Sequence, residues 1–213
     1  MAVLSSGGKD SSAAIWWAQC KGWDVTHLVT MLVDGDDSWM FQIPGTSLVQ
    51  HQAKLCECDW LPVRTQGIAE AEVEDLKVAL SKLKIDGIVS GAIRSDYQKT
   101  RLERMCHELN IISFTPLWHQ SSISHMTNLV SNGFKVMITG VSCEGLGSEW
   151  LGCILDNDSL EELSRLANKY RFHVDGEGGE YETLVISGPH MKGELNLDYQ
   201  KHWDGVRGHL TFS

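Results

Sequence analysis

The sequence predicts an α/β fold: a parallel, Rossmann-like sheet covered by helices on both faces, followed by a smaller α+β unit. Three observations carry this. Short β-rich runs alternate with helices of crossover length through the first half of the chain. The first of these runs ends in a glycine loop that opens a helix. After Pro116 the alternation gives way to a mixed pattern.

Taken in order, residues 2–6 are a short apolar run ending at Gly7-Gly8. Residues 11–21 read as a helix with Ala13, Ala14, Trp17 and Ala18 on one face; Trp16 and Trp17 belong to a core. Residues 24–33 are strand-like through Val25, Leu28, Val29 and Leu32. A helix over 47–57 follows the Pro44-Gly45 breaker, then a strand over 61–65. Val73, Leu76, Leu80 and Leu83 give 69–84 a helical stripe. A strand over 86–90, a helix over 97–109 and a strand over 111–114 complete the first unit. The second has a helix over 121–131, a strand over 135–141 and a helix over 159–170. Asp158 or Ser159 is the expected N-cap of that last helix, with Glu161 and Glu162 in its first turn. A strand over 182–186 and short strand-like pieces close the chain. The expected units are 1–116 and 117–213. In a parallel sheet, ligands bind beyond the carboxyl ends of the strands. That directs attention to 6–11, 34–41 and 91–98.

Bulk composition narrows the function. The chain has 213 residues, 42% of them hydrophobic and 22% charged, which is ordinary globular usage and argues against disorder. A formal charge of −10 repels phosphate backbones, and residues 99–104 are the densest basic stretch, so no nucleic acid is expected as partner. Neither a secretory signal nor an apolar run of membrane-spanning length is visible, so no membrane association is expected. The six cysteines form no disulfide framework. Cys56 and Cys58 lack a second pair at zinc spacing, so reduced thiols in a cytoplasmic protein are expected. His51, His107, His119 and His125 stand singly and read as surface or packing residues rather than metal ligands.

The stretch Ser6-Gly7-Gly8-Lys9-Asp10-Ser11-Ser12 is denser in chemistry than a turn requires. Glycines let a phosphate approach the backbone, and a helix N-terminus supplies free N–H groups. Lys9 adds a point charge, and Asp10 offers a helix cap or a magnesium ligand. Walker A spacing is absent, since Gly8-Lys9 is followed by Asp10; so is G-x-G-x-x-G. The loop does match S-G-G-x-D-S and so resembles the ATP pyrophosphatase (PP-loop) superfamily. That resemblance implies cleavage of ATP between its α and β phosphates, with a substrate oxygen attacking the α-phosphorus to form an adenylate.

A second motif, Gly176-Glu177-Gly178-Gly179-Glu180-Tyr181-Glu182-Thr183, crowds three carboxylates together, which calls for a cation, a donor network or full hydration. The pair of motifs, in this order, resembles the diphthine–ammonia ligase (diphthamide synthase) family. Gly91-Ala92-Ile93 with Ser95, Tyr97, Gln98, Arg101 and Glu103 agrees with it, as do 115–118, 150–152 and 154–156. Two positions depart: Gln42 stands where the family often has histidine, and Cys153 where it usually has a basic residue.

The resemblance implies ATP-dependent amidation, by ammonium, of diphthine on translation elongation factor 2. ATP and Mg2+ would be the cofactors, with Asp10 as magnesium ligand. Lys9, Asp10 and Ser11 would be catalytic, and Ser6, Gly7, Gly8, Ser12, Gly91 and Tyr97 would join them in holding the nucleotide. Glu177, Gly178, Gly179, Glu180, Tyr181, Glu182 and Thr183 would meet the substrate. Glutamates would face its trimethylammonium group and Tyr181 would form a cation–π wall. Trp39 would border the nucleotide or serve packing. A homodimer stays open. The competing readings are a PP-loop tRNA thiolase or amidotransferase and a non-catalytic nucleotide sensor.

Overall fold

The computed structural model describes residues 1–33, 46–66 and 69–213. Residues 34–41, together with Gln42, lie outside the described residues. The first half runs β1 (Ala2–Leu4), α1 (Lys9–Cys20), β2 (His27–Val33), α2 (Val49–Leu55), β3 (Asp59–Thr65), α3 (Ala69–Leu80), β4 (Gly87–Val89), α4 (Asp96–Leu109) and β5 (Ile112–Phe114). Its five strands form one parallel sheet in the order 3-2-1-4-5. The second half runs α5 (Ser122–Ser131), β6 (Lys135–Val141), α6 (Asn157–Tyr170), β7 (Tyr181–Ser187), β8 (Tyr199–Trp203) and β9 (Gly208–Phe212). Its strands form an antiparallel sheet in the order 7-6-9-8.

Both faces of the parallel sheet are covered, as its near-continuous apolar strands require. Ala14, Ile15 and Ala18 of α1 pack with Val3, Leu28 and Val89 on one side. Leu76 and Leu80 of α3 and Leu102 and Met105 of α4 pack with Val29 and Ile88 on the other. The second core gathers Met126 and Leu129 from α5, Val136 and Ile138 from β6, Leu163 from α6 and Leu184 from β7. Ala13 and Ile93 from the first half enter this same core, so the two sheets are joined by packing.

Three of the boundaries that differ from expectation have a clear local cause. The first helix begins at Lys9, because Gly8, extended at φ −81° and ψ 179°, occupies the N-cap. Helix α3 ends at Leu80, and Leu83 and Ile85 then turn into the core ahead of β4. The N-cap of α6 is Asp156, not Asp158 or Ser159. Asp156 Oδ1 accepts from Ser159 N at 2.8 Å and Ser159 Oγ accepts from Asp156 N at 2.7 Å, a reciprocal box that satisfies two otherwise orphaned donors. Among the described residues no helix is long and apolar enough to cross a membrane.

His190 provides a stability test. It is 4% exposed, stacks on Phe134 at 5.3 Å, and neither ring nitrogen has a hydrogen-bond partner. Burial pushes its pKa down to about 4. An unfolded imidazole takes up a proton as pH falls below about 6.5, whereas the native one stays neutral until about 4. Stability present above pH 6.5 is therefore lost as pH falls across that window, by at most roughly 3 kcal/mol. Urea titrations at several pH values should show this slope, and His190→Leu should flatten it. An unchanged slope in the variant would refute the assignment.

Candidate functional site

The order 3-2-1-4-5 reverses direction between β1 and β4, and the loops leaving those two strands meet there. Gly7 takes φ +86°, and its N–H donates to Ser5 Oγ at 3.2 Å. Ser11 Oγ donates to Gly8 O at 3.0 Å, closing the first turn of α1. Ser12 Oγ is buried without a partner. Gly91, after β4, lies against this turn: a Cβ there would stand 2.6 Å from the carbonyl carbon and oxygen of Asp10. Only glycine permits that approach.

Strand β7 carries the acidic motif onto the same loop. Lys9 N donates to Thr183 Oγ1 at 3.2 Å, across 174 residues of sequence. Val185 N donates to Gly7 O at 2.9 Å, and Gln52 Nε2 on α2 donates to Gly7 O at 3.0 Å and to Val185 O at 2.7 Å. A Cβ on Gly8 would lie 3.2 Å from Thr183 O. The two motifs thus form one surface, with a helix N-terminus on one side and carboxylates on the other.

The charges are paired across both halves. Lys9, 5% exposed, places Nζ 2.8 Å from Asp10 Oδ2, and His125 Nε2 stands 2.7 Å from Asp10 Oδ1. Burial by itself would raise the Asp10 pKa; the Lys9 charge and the His125 contact outweigh it and hold the carboxyl below its ordinary value. Burial would likewise lower the Lys9 pKa, and Asp10 reverses that, so Lys9 stays cationic. Glu177 and Glu182 are pushed up, first by partial desolvation; the negative charge of Asp10 adds to both, while Lys9 opposes it.

Other residues expected at the site are placed differently from one another. Glu180 acts on its own loop, accepting from His173 N and Gly178 N, both at 2.8 Å. Tyr181 is buried and donates its hydroxyl to Val174 O at 2.6 Å, with Gly176 close over the ring. Gly179 takes φ +80°, and its carbonyl accepts from Ser142 Oγ. Ser6 lies beside Gly8. Tyr97 is 52% exposed at the start of α4, with the Arg101 guanidinium 3.4 Å from its ring centre.

Three participants escaped the sequence reading. His125, expected on a surface or in plain packing, is buried against Asp10 because α5 packs beside the start of α1. Gln52 anchors the loop from α2. Arg94 pairs with Asp175 at 3.2 Å and bonds Ser122 Oγ. None belongs to a motif; each is visible only once helices are packed. His125→Leu should lower turnover at least about tenfold by freeing Asp10, while His125→Gln, which keeps a donor, should lose less. Equal losses in steady-state assays would count against a positioning role.

Magnesium can be tested against the donor set. Among the described residues no three His, Cys, Asp or Glu side chains form a metal-binding group. Magnesium bound with a nucleotide needs only one or two carboxylates, because phosphates and water complete its shell. Asp10, with Glu177 and Glu182 in the same electrostatic field, fits that mode.

Comparison with known proteins covers most of the chain. Residues 1–113 match the diphthamide synthase N-terminal domain and residues 121–213 the diphthamide synthase C-terminal domain. The chain is similar to the diphthine–ammonia ligase of Bos taurus, at 32% identity over 223 residues, covering 93% of this chain and 82% of that protein. The Homo sapiens protein of that name gives the same values. The Danio rerio protein is 31% identical over 222 residues, 92% of this chain and 85% of its own.

Proposed function

The chain belongs to the diphthamide synthase family, and on that footing we propose that it amidates diphthine with ammonium at the expense of ATP. The observation that carries this reading is the bond from Lys9 N to Thr183 Oγ1, which brings the phosphate-type loop and the acidic motif into one site. The diphthine carboxylate attacks the α-phosphorus, pyrophosphate leaves, and ammonia displaces AMP from the acyl-adenylate. Negative charge grows on the departing pyrophosphate. The N–H groups at the start of α1 and the cationic Lys9 are fixed where they stabilise it. Ser11 and Gly91 hold the first turn in place. Bound magnesium would neutralise phosphate charge, held by Asp10.

On this reading residues 1–116 supply ATP binding and residues 117–213 the substrate surface. Glu177 and Glu182 line the cationic side of the site, Glu180 shapes the loop, and Tyr181 supports it from beneath. The protein substrate is translation elongation factor 2 and the setting is the cytoplasm. A net charge of −10 disfavours a tRNA substrate, and the intact Lys9, Asp10 and Ser11 disfavour a non-catalytic sensor.

Release of AMP and pyrophosphate should require ATP, ammonium and diphthine-bearing factor together. Turnover dependent on tRNA, or ATP binding with no turnover in the complete mixture, would overturn the proposal.

A further inference from the structure

We propose that Cys56 and Cys58 form a redox-active dithiol that hydrogen peroxide closes to a disulfide, and that this closure loosens the hold of α2 on the loop at 5–12.

The turn between the two cysteines sets their geometry. Cys56 is the C-cap of α2, and its N–H donates to Gln52 O at 2.8 Å. The chain then reverses through Glu57 at φ +56°, and Cys58 N donates back to Ala53 O at 3.0 Å. Glycine is the usual residue at such a helix end. Here Lys192 of the second half holds Glu57, Nζ to Oε2 at 2.6 Å. A residue in the left-handed helical region sets the Cα atoms on either side of it about 5.4 Å apart, by the rise and radius of a helical turn. That lies inside the span a disulfide needs, about 4.4–6.8 Å. An extended residue would hold them about 7 Å apart, past the limit.

The side chains converge as well. Both are partly exposed, and both pack against the cluster that holds Val25, Leu28, Val49 and Ala53. The two thiols hydrogen-bond to each other, and Cys58 Sγ also donates to Ala53 O at 3.6 Å. The bond from Cys56 holds the Cys58 thiol below its ordinary pKa, while the same contact, with burial, pushes Cys56 up. Cys58 is therefore the nucleophile and Cys56 the resolving thiol. Burial pushes Cys106, Cys143 and Cys153 up, which makes them less reactive.

The redox balance closes with two thiols and one peroxide. The Cys58 thiolate attacks a peroxide oxygen. An S–O bond forms, the O–O bond breaks, and the departing hydroxide takes up the proton that Cys58 released. The Cys56 sulfur then attacks the sulfenic acid. The S–S bond forms, the S–O bond breaks, and the hydroxide leaves as water with the Cys56 proton. One disulfide and two waters result.

The consequence runs through α2. Gln52, 1% exposed, holds Gly7 O and Val185 O, and Leu55 O accepts from Lys192 N at 2.7 Å. Closure brings the sulfurs to about 2.0 Å. It removes the Cys58 bond to Ala53 O and draws on the last turn of α2, which moves Gln52 against the loop.

Tryptic peptide 55–64 holds both cysteines and no other. In small excess, hydrogen peroxide should make it about 2 Da lighter and resistant to alkylation until a reductant is added. Amide exchange across residues 5–12 should rise, and turnover should fall at least about threefold, both restored by reductant. Cys56→Ser and Cys58→Ser should keep normal turnover and escape the reversible loss. Cys56→Ser should also carry a sulfenic acid at Cys58 that dimedone traps. A peptide about 32 Da heavier, with sulfinic acid in place of a disulfide, overturns the pairing. A disulfide with exchange and turnover unchanged overturns the coupling, as does an equal loss in both serine variants. The mass and exchange readouts do not depend on what the chain amidates, so failure of the functional proposal shows separately, as no turnover before oxidation.

Discussion

Lys9→Met should abolish most pyrophosphate release, by at least about 100-fold, which is the loss typical of removing one preorganised charge-stabilising donor. Methionine keeps most of the unbranched lysine stem but leaves the developing negative charge without its cation. The variant also strands Asp10, which then keeps its contact with His125 Nε2 but loses its cation. Removing one partner of a buried pair costs about 3–5 kcal/mol; Asp10 has a quarter of its side chain exposed, so the loss should fall at the lower end or below. Thermal melts beside product assays separate the two effects. Lys9→Arg should not rescue, since a guanidinium is too broad for a side chain 5% exposed. Turnover within tenfold of the unmodified protein would sink the assignment.

Gly91→Ala should be nearly as damaging, although it adds one methyl group and removes no chemistry. The new Cβ would stand 2.6 Å from the carbonyl carbon and oxygen of Asp10 and 2.8 Å from Ser11 N. These are backbone atoms of a packed helix and cannot rotate away. Either β4 or the first turn of α1 must move, at about 1–3 kcal/mol. A displacement near 1 Å at the loop costs about 100-fold in rate. The expected signature is a modest fall in melting temperature with a large fall in ATP turnover. A variant with normal activity would show that the contact at Gly91 does not position the loop.

Most elements were legible because local pattern is a local cause. Alternating apolar runs and helices imply parallel crossovers, and each of the five predicted strands of the first half appears in the sheet. The loop at 6–12 and the motif at 176–183 were legible for another reason. Their residue types serve chemistry rather than packing, so they stand out from the periodic background. Helix ends were less legible: Asp156 caps α6 through a reciprocal pair with Ser159, while Asp158 and Ser159 offered equally good side chains.

Roles inside the motifs were not legible. Three glutamates of one type, two or three residues apart, proved unequal: Glu180 is committed to two backbone donors, while Glu177 and Glu182 feel the charges of Lys9 and Asp10. Composition cannot separate them, because direction comes from the turn that Gly176 and Gly179 make.

The sequence by itself determined the order of elements, the anion-binding loop, the acidic motif and the family. All of these depend on residue types and short spacings along the chain. Tertiary structure alone decided that Thr183 meets Lys9, that His125 and Gln52 hold the loop, and that Arg94 pairs with the buried Asp175. Those contacts join residues far apart in sequence through the packing of α1, α2, α5 and β7. Their energies exist only after the chain has given up the entropy of bringing them together.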